Sequence, residues 1–157
     1  MRRLASAVLP LLLMAPAVAG AQDVIRYKIP NSHFPIAAAV EVPAGKSVVY
    51  VSGQMATLPK GSAPMDTEAQ TVGALKNIQK QLQSMHLGLG DVVAMHAFLV
   101  ADKNQGGKLD FAGFMKGYTQ FFGTREQPNL PARSAMQVAA LANPAGLVEI
   151  EVTAVRP

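Results

Sequence analysis

The residues best suited to chemistry lie near the end of the chain, in two stretches that otherwise have the composition of β-strands. Arg133 opens the first stretch, and Glu149 and Glu151 alternate with valine and isoleucine in the second. An arginine guanidinium can hold a carboxylate with two parallel hydrogen bonds, and a glutamate can position or deprotonate a water molecule. The pattern therefore favours a site that binds a small carboxylate and acts on it with water.

The alternation of side chains along a strand predicts how these residues are distributed between two faces. We expect one apolar face that builds the core and one polar face that carries the charged residues. The apolar face would hold Met136, Val138, Ala140, Val148, Ile150, Val152 and Ala154, and the polar face Arg133, Gln137, Glu149, Glu151 and Thr153.

A turn over residues 142–146 would join the two stretches as a hairpin with Gln137 opposite Glu151. In that register Arg133 and Glu149 share a face but lie roughly 20 Å apart, at about 3.3 Å per residue. A small ligand that touches both would then need Arg133 of one subunit and Glu149 of another. The alternative is a polar interface in which these arginine, glutamine and glutamate side chains pair across subunits.

Two helices are predicted between the strands. Apolar residues recur every three or four positions over residues 67–85, and Thr67-x-x-Gln70 fits a capping box at the start. An aromatic stripe predicts the second helix over residues 109–122.

The strands predict a mixed sheet. The order is strands, helix, strand, helix, two strands, and the run at 92–100 is apolar on both faces, as in the middle of a sheet. Two helices can cover only one face, so self-association would have to cover the other. We expect an α+β domain, with strands at 24–29, 38–42, 47–53, 92–100 and in the two closing stretches.

The first residues have the pattern of a cleavable export signal. Arg2 and Arg3 precede an apolar stretch and a small-residue cleavage site that ends at Ala21. We therefore expect residues 1–21 to be a signal peptide, residues 22–157 to be a single domain, and the protein to be periplasmic or secreted. The chain has no cysteine, so disulfides and lipid attachment through a thiol are excluded.

The charge of the chain and the placement of its histidines indicate which ligands and partners are not expected. The formal net charge is +4, and Arg2 and Arg3 supply two of these charges. Since no cluster of lysine and arginine follows them, we expect neither nucleic-acid nor anionic-membrane binding. His33, His86 and His96 are too scattered for a metal site, so no metal is expected, and His96 is interpreted as a packed mid-strand residue.

Several segments resemble the RidA family, also called YjgF, in order and spacing over about residues 46–156. They are Ser52-Gly53-Gln54, Gly88-Leu89-Gly90-Asp91-Val92-Val93, Tyr118-x-x-Phe121-Phe122, Pro131-Ala132-Arg133-Ser134, and Leu141 with Val148-Glu149-Ile150.

The resemblance implies a chorismate-mutase-like, YjgF-type fold with two helices on one sheet face, assembled into a homotrimeric barrel with clefts between subunits. It implies hydrolysis of enamine or imine intermediates, such as 2-aminoacrylate, to 2-keto acids and ammonia without metal or organic cofactor. Arg133 would hold the substrate carboxylate and Glu149 would orient the attacking water. Ser52 and Gly53 would line the cleft.

Three positions depart from the pattern of the family. Ile36, with Phe34 the nearest aromatic residue, stands where a tyrosine is usual, Met115 replaces an asparagine and Ala135 replaces a cysteine. A more apolar substrate-binding cleft follows. This cleft is consistent with bulkier or more apolar imines, or with a non-catalytic trimer that binds small carboxylates.

The sequence gives little support to two other functional classes, nucleases and chaperone-like proteins. Nuclease activity is attached to some members of the family, but beyond residue 21 the sequence lacks a basic stripe and a histidine pair for phosphodiester cleavage. A chaperone-like trimer would need exposed apolar surface beyond the contacts between subunits.

Overall fold

In the computed structural model, which describes residues 23–58 and 65–157, six strands form a single mixed sheet. The strand order in the sheet is β1-β2-β5-β4-β6-β3. The predicted sequence of strands, helix, strand, helix and two strands is confirmed. The elements are β1 (Ile25–Lys28), β2 (Ala37–Glu41), β3 (Val48–Met55), α1 (Thr67–Ser84), β4 (Val92–Val100), α2 (Phe111–Tyr118), β5 (Ala132–Val138) and β6 (Val148–Val155).

Both helices cover the same face of this sheet. Helix α1 packs on α2 and on strands β3 and β6. Leu75 and Ile78 of α1, Phe114 of α2, and Met95 and Leu99 of β4 belong to one buried cluster. The predicted α+β fold, a mixed sheet with two helices on one face, is therefore confirmed. We call the sheet face turned away from the helices the open face; it carries Tyr50, His96, Phe98, Met136, Glu149 and Glu151.

The predicted closing hairpin is wrong, because β4 lies between β5 and β6. Strand β5 runs parallel to β4 with Arg133 opposite Met95, and β6 runs antiparallel to β4 with Glu149 opposite Phe98. Helix α2 provides the crossover that a parallel pair such as β4 and β5 requires. Residues 139–147 then carry the chain to the other side of β4 instead of closing a local turn between neighbours.

The predicted assignment of side chains to faces fails for the same reason. Arg133 and Gln137 turn toward the helices, whereas Met136 and Val138 share the open face with Glu149. Alternation holds within each strand, but the hairpin register had fixed the two strands relative to each other incorrectly. The chain therefore has no single polar face that carries both the arginine and the glutamates.

The helix starts are set by aspartates. The carboxylate of Asp66 accepts a hydrogen bond from the Ala69 amide at 2.8 Å, so Asp66, not Thr67, caps α1. Asp110 likewise accepts from the Gly113 amide at 2.8 Å and opens α2 later than the predicted position 109. The predicted Thr67-x-x-Gln70 capping box is thus displaced by the acidic residue before it.

The predicted signal peptide, residues 1–21, lies outside the described residues and stays a prediction. Over residues 23–58 and 65–157, no helix combines the length and the apolar character needed to cross a membrane.

Candidate functional site

The guanidinium of Arg133 lies among four aromatic rings on the helix side of the sheet. Its Cζ atom is 4.3 Å from the ring centre of Tyr118 and 5.0 Å from that of Phe114. The rings of Phe34 and Phe111 lie at 5.5 and 6.0 Å. All four distances fall within the range of a cation–π interaction, so the rings hold the guanidinium and surround it with apolar surface.

Local structure explains this arrangement. Phe111, Phe114 and Tyr118 follow one another at helical spacing and so lie on one side of α2, facing the strand that carries Arg133. The Tyr118 hydroxyl donates a hydrogen bond to the Pro35 carbonyl oxygen at 2.9 Å. This bond ties α2 to the segment before β2, which also supplies the ring of Phe34.

The charge of Arg133 has no acidic partner in residues 23–58 or 65–157. Burial lowers the pKa of Arg133 from its usual value, and the neighbouring Tyr118 opposes that change. Burial also raises the pKa of Tyr118 to about 12, so its phenol stays neutral at ordinary pH. Arginine remains protonated in proteins, and a partly desolvated cation of this kind attracts an anion.

Arg26 shows what a structural arginine looks like in the same fold. Its Nη1 atom donates to the carbonyl oxygens of Val92 and Leu130 at 2.8 and 2.9 Å, and Nη2 donates to that of Gly90 at 2.8 Å. A cleft of about 370 Å³ adjoins Arg26, but three of the five guanidinium N–H groups already donate to backbone carbonyl oxygens. By contrast, the hydrogen-bonding partners of the Arg133 guanidinium among the described residues are side chains, the Met115 sulfur at 3.3 Å and the Tyr118 hydroxyl.

Glu149 lies in a different environment, on the open face beside Gly53. The register between β3 and β6 shifts between Val51 and Gln54, which is the mark of a β-bulge. A Cβ atom at position 53 would overlap the carboxylate of Glu149. Glycine is therefore needed for this close approach, and it places a backbone segment directly against the carboxylate.

Arg133 and Glu149 are separated by the sheet. Their partners on β4, Met95 and Phe98, are three positions apart, and the two strands flank β4 on opposite sides. From about 3.3 Å per residue and about 4.8 Å between strands, the two Cα atoms lie about 14 Å apart. Within one chain the two side chains cannot meet on one ligand.

The predicted site residues accordingly fall into two groups. A cleft of about 370 Å³ where β2 meets β5 is bordered by both Ile36 and Arg133, and also by His96 and Ser134 of the open face. Ala135 faces the helix layer from the same strand as Arg133. The first group is Arg133, Met115, Ile36 and Ala135, and the second is Glu149, Gly53 and Ser52.

Some features of the site were not predicted from the sequence. His96 is not a packed residue: its side chain is 50% exposed, and its Nδ1 atom lies 2.9 Å from Oε1 of Glu151 on the open face. Phe34 and Phe111 had no assigned role, although helical spacing in α2 could have placed Phe111 beside a strand that follows it. In the described part of the chain, no group of three or more histidine, aspartate or glutamate side chains is arranged to hold a metal ion.

Comparison with known proteins identifies the family. Residues 30–156 match the family described as Endoribonuclease L-PSP. A RutC family protein from Haemophilus influenzae is 38% identical over 111 residues, which cover 70% of this chain and 80% of that protein. The 2-iminobutanoate/2-iminopropanoate deaminase of Mus musculus is 35% identical over 132 residues, 82% of this chain and 87% of the mouse protein.

A solved structure agrees with these relatives. The crystal structure of E. coli TdcF with bound serine superposes with a TM-score of 0.59 at 34% identity, over 74% of this chain and 85% of TdcF. The fold and the matched sequence define a member of the RidA family, as the motifs predicted, and the chain belongs to that family.

Proposed function

We propose that this protein is a cofactor-independent hydrolase that converts enamine or imine derivatives of 2-keto acids to the keto acid and ammonia. The observation that carries the proposal is the guanidinium of Arg133, partly buried among aromatic rings and without an acidic partner in the described chain. Support also comes from the mouse relative, whose name is 2-iminobutanoate/2-iminopropanoate deaminase, and from E. coli TdcF, whose crystal structure contains the amino acid serine.

In the proposed reaction, Arg133 binds the substrate carboxylate with two hydrogen bonds. Glu149 orients a water molecule, whose oxygen adds to the carbon of the C=N bond while its proton moves by way of the glutamate to the nitrogen. The resulting carbinolamine then loses ammonia as its hydroxyl becomes the carbonyl of the keto acid. One water is consumed and no electrons are transferred.

The proposal requires a homotrimer in which neighbouring subunits complete each site. Since Arg133 and Glu149 leave the sheet on opposite faces, one subunit would supply the carboxylate-binding half and its neighbour the water-orienting half. The open face also exposes apolar side chains, with Tyr50 81% and Met136 39% exposed. Exposed apolar surface of this kind is typical of a face that a partner covers.

The test follows ammonia or keto acid while an amino-acid oxidase generates 2-iminopropanoate in the presence of the purified protein. We expect release above the spontaneous rate, and we expect Arg133→Ala and Glu149→Gln to remove the excess. A wild-type rate equal to that of Arg133→Ala would contradict the enzymatic function.

A second candidate function is a non-catalytic trimer that binds small carboxylates. It is favoured by apolar residues near Arg133: the Met115 sulfur contacts the guanidinium, and Ile36 borders a cleft that Arg133 also lines. Calorimetry separates the two: carboxylate binding that is lost in Arg133→Ala, with no imine turnover in the wild type, supports the binding protein.

Export is proposed alongside this activity. Residues 1–21 would be removed and the product would act in the periplasm or outside the cell. Amino-terminal sequencing of protein recovered from the periplasmic fraction should then begin at Gln22, and a product that begins at Met1 would contradict export.

A further inference from the structure

Two aromatic rings beside Arg133 are exposed. Phe34 and Phe111 are each 40% accessible to solvent. Their ring centres are 6.4 Å apart with the planes 18° from parallel, so the two rings form a stacked pair. Both rings also lie within 6.0 Å of the Arg133 guanidinium carbon.

This exposed pair is backed by buried rings. Phe111 contacts Phe114 at 6.0 Å between ring centres, and Phe114 contacts Tyr118 at 5.9 Å. Tyr118 in turn stacks on Phe122 at 5.0 Å. Phe114, Tyr118 and Phe122 are fully buried. Phe111 therefore rests on a packed aromatic layer, and Phe34 stacks on Phe111.

The surroundings of the pair are poor in polar groups. Met115 presents its sulfur to the guanidinium at 3.3 Å, and the Ile36 amide donates to the Phe34 carbonyl oxygen at 2.8 Å, which keeps Ile36 next to the pair. A hydroxyl or ammonium group on a ligand would lose water here without gaining a partner from these residues. An aromatic or large aliphatic group would instead cover the two exposed rings.

We propose that the Phe34–Phe111 pair selects the side chain of the ligand whose carboxylate binds Arg133. The pair favours carboxylates with an aromatic or large apolar side chain over small or hydroxylated ones. The substrates would thus be 2-imino acids derived from aromatic or large aliphatic amino acids. The identity of the reacting group rests on the proposed function, whereas the side-chain preference rests on binding alone.

The test is calorimetric binding of two unreactive carboxylates, propanoate and 3-phenylpropanoate, to the purified protein. A stacked aromatic contact corresponds to about tenfold in affinity, so we expect 3-phenylpropanoate to bind about tenfold more tightly. Phe34→Ala and Phe111→Ala should each reduce that ratio to about threefold or less, and the ratio is the readout because both rings also contact the guanidinium that binds either carboxylate. Ile25→Ala, at an exposed apolar position on β1, is the matched control and should keep the full ratio.

Phe34→Leu and Phe111→Leu guard against misfolding, because they retain apolar volume while removing the ring; they should also lower the ratio, with an unchanged thermal midpoint. Equal affinity for the two carboxylates in the wild type, binding of neither, or an unchanged ratio in both alanine variants would overturn the proposal. Imine turnover is measured in a separate assay.

If the protein prefers 3-phenylpropanoate but shows no turnover, the proposed enzymatic function is wrong and the side-chain preference stands. If it shows turnover but no preference between the two carboxylates, the side-chain preference is wrong and the enzymatic function stands.

Discussion

The side chains of Arg133 and Glu149 leave the sheet on opposite faces, from strands that flank β4 on either side. Arg133 lies under α2 among aromatic rings, and Glu149 lies on the open face against the bulge at Gly53. Each residue therefore has a structured environment of its own, and neither environment contains the other residue. This separation gives the assembly of subunits a direct chemical role in the proposed function.

Gly53→Ala should impair turnover more than folding. The new methyl group would occupy the position of the Glu149 carboxylate, whose flexible end must move away. Because a displacement of about 1 Å in a catalytic group can cost about a hundredfold in rate, we expect imine turnover to fall at least about tenfold.

The matched control for this change is Gly88→Ala, where the nearest atom to an added Cβ is 3.9 Å away. It should leave turnover and the thermal midpoint unchanged. Full turnover in Gly53→Ala would show that the position of Glu149 does not matter for the reaction.

Tyr118→Phe should lower the free energy of unfolding by about 1 kcal/mol, because it leaves the Pro35 carbonyl without its donor. The ring over Arg133 is retained, so carboxylate binding should persist. Urea unfolding measures the change, and Tyr50→Phe, with a side chain that is 81% exposed, is the control expected to have no effect.

The same residue predicts a loss of stability in alkali. The pKa of Tyr118 is raised to about 12 in the folded protein, above the value of 10.0 for an unperturbed tyrosine. The contribution of the neutral phenol is thus fully present below pH 10.0 and is lost as the pH rises toward 12. Over that window the stability of the wild type should fall relative to Tyr118→Phe, by at most about 1.4 kcal/mol per pH unit. If the difference in unfolding free energy between the wild type and Tyr118→Phe does not change with pH, the raised pKa of Tyr118 and the burial that causes it are contradicted.

Asp66→Ala should destabilise α1 by about 1 kcal/mol, since the Ala69 amide loses its acceptor. Asp66→Asn is the matched control because asparagine caps helices about as well. Equal loss in both variants, measured by urea unfolding, would indicate that charge and not capping is responsible.

How far the sequence predicts this molecule depends on whether each signal is local. The bounds of β4 follow from a run that is apolar on both faces, and helix α1 follows from apolar spacing. The pairing partners of β5 do not follow from the sequence, because they are set by the path of the chain through α2 and not by the turn-like residues at 142–146. The start of α1 was misplaced because Asp66 and Thr67 are adjacent acceptors, and spacing alone does not decide which one caps.

The candidate site, like the fold, was predicted in part from the sequence. Arg133 and Glu149 were noticed because charged residues are unusual in apolar strands, and the prediction that they lie apart within one chain is consistent with the corrected register. The geometric reason for this separation differs from the predicted one. The two side chains lie on opposite faces of the sheet, whereas the sequence predicted that they lie far apart along a hairpin. The exposed rings of Phe34 and Phe111 beside Arg133 could not be foreseen, because that contact joins three segments that are distant in the sequence.

The open face supplies a prediction about assembly. Met136→Lys places a charge in the exposed apolar surface of that face and should shift the protein from trimer toward monomer in analytical ultracentrifugation. Gln83→Lys, on the exposed side of α1, adds the same charge away from that face and should leave the trimer intact. A monomeric wild type, or a Met136→Lys trimer as stable as the control, would contradict coverage of the open face by other subunits.

Mixing two inactive variants tests the origin of the two half-sites. If each cleft takes Arg133 from one subunit and Glu149 from its neighbour, a trimer containing both Arg133→Ala and Glu149→Gln subunits has some clefts with both native residues. Random reassembly of an equal mixture should restore about a quarter of the wild-type turnover, because each half-site is native in half of the subunits. If both residues of a cleft came from one subunit, no subunit in the mixture would carry both, and turnover would stay at the level of the separate variants. Activity that fails to return while mixed trimers are seen by native mass spectrometry would therefore exclude the shared site.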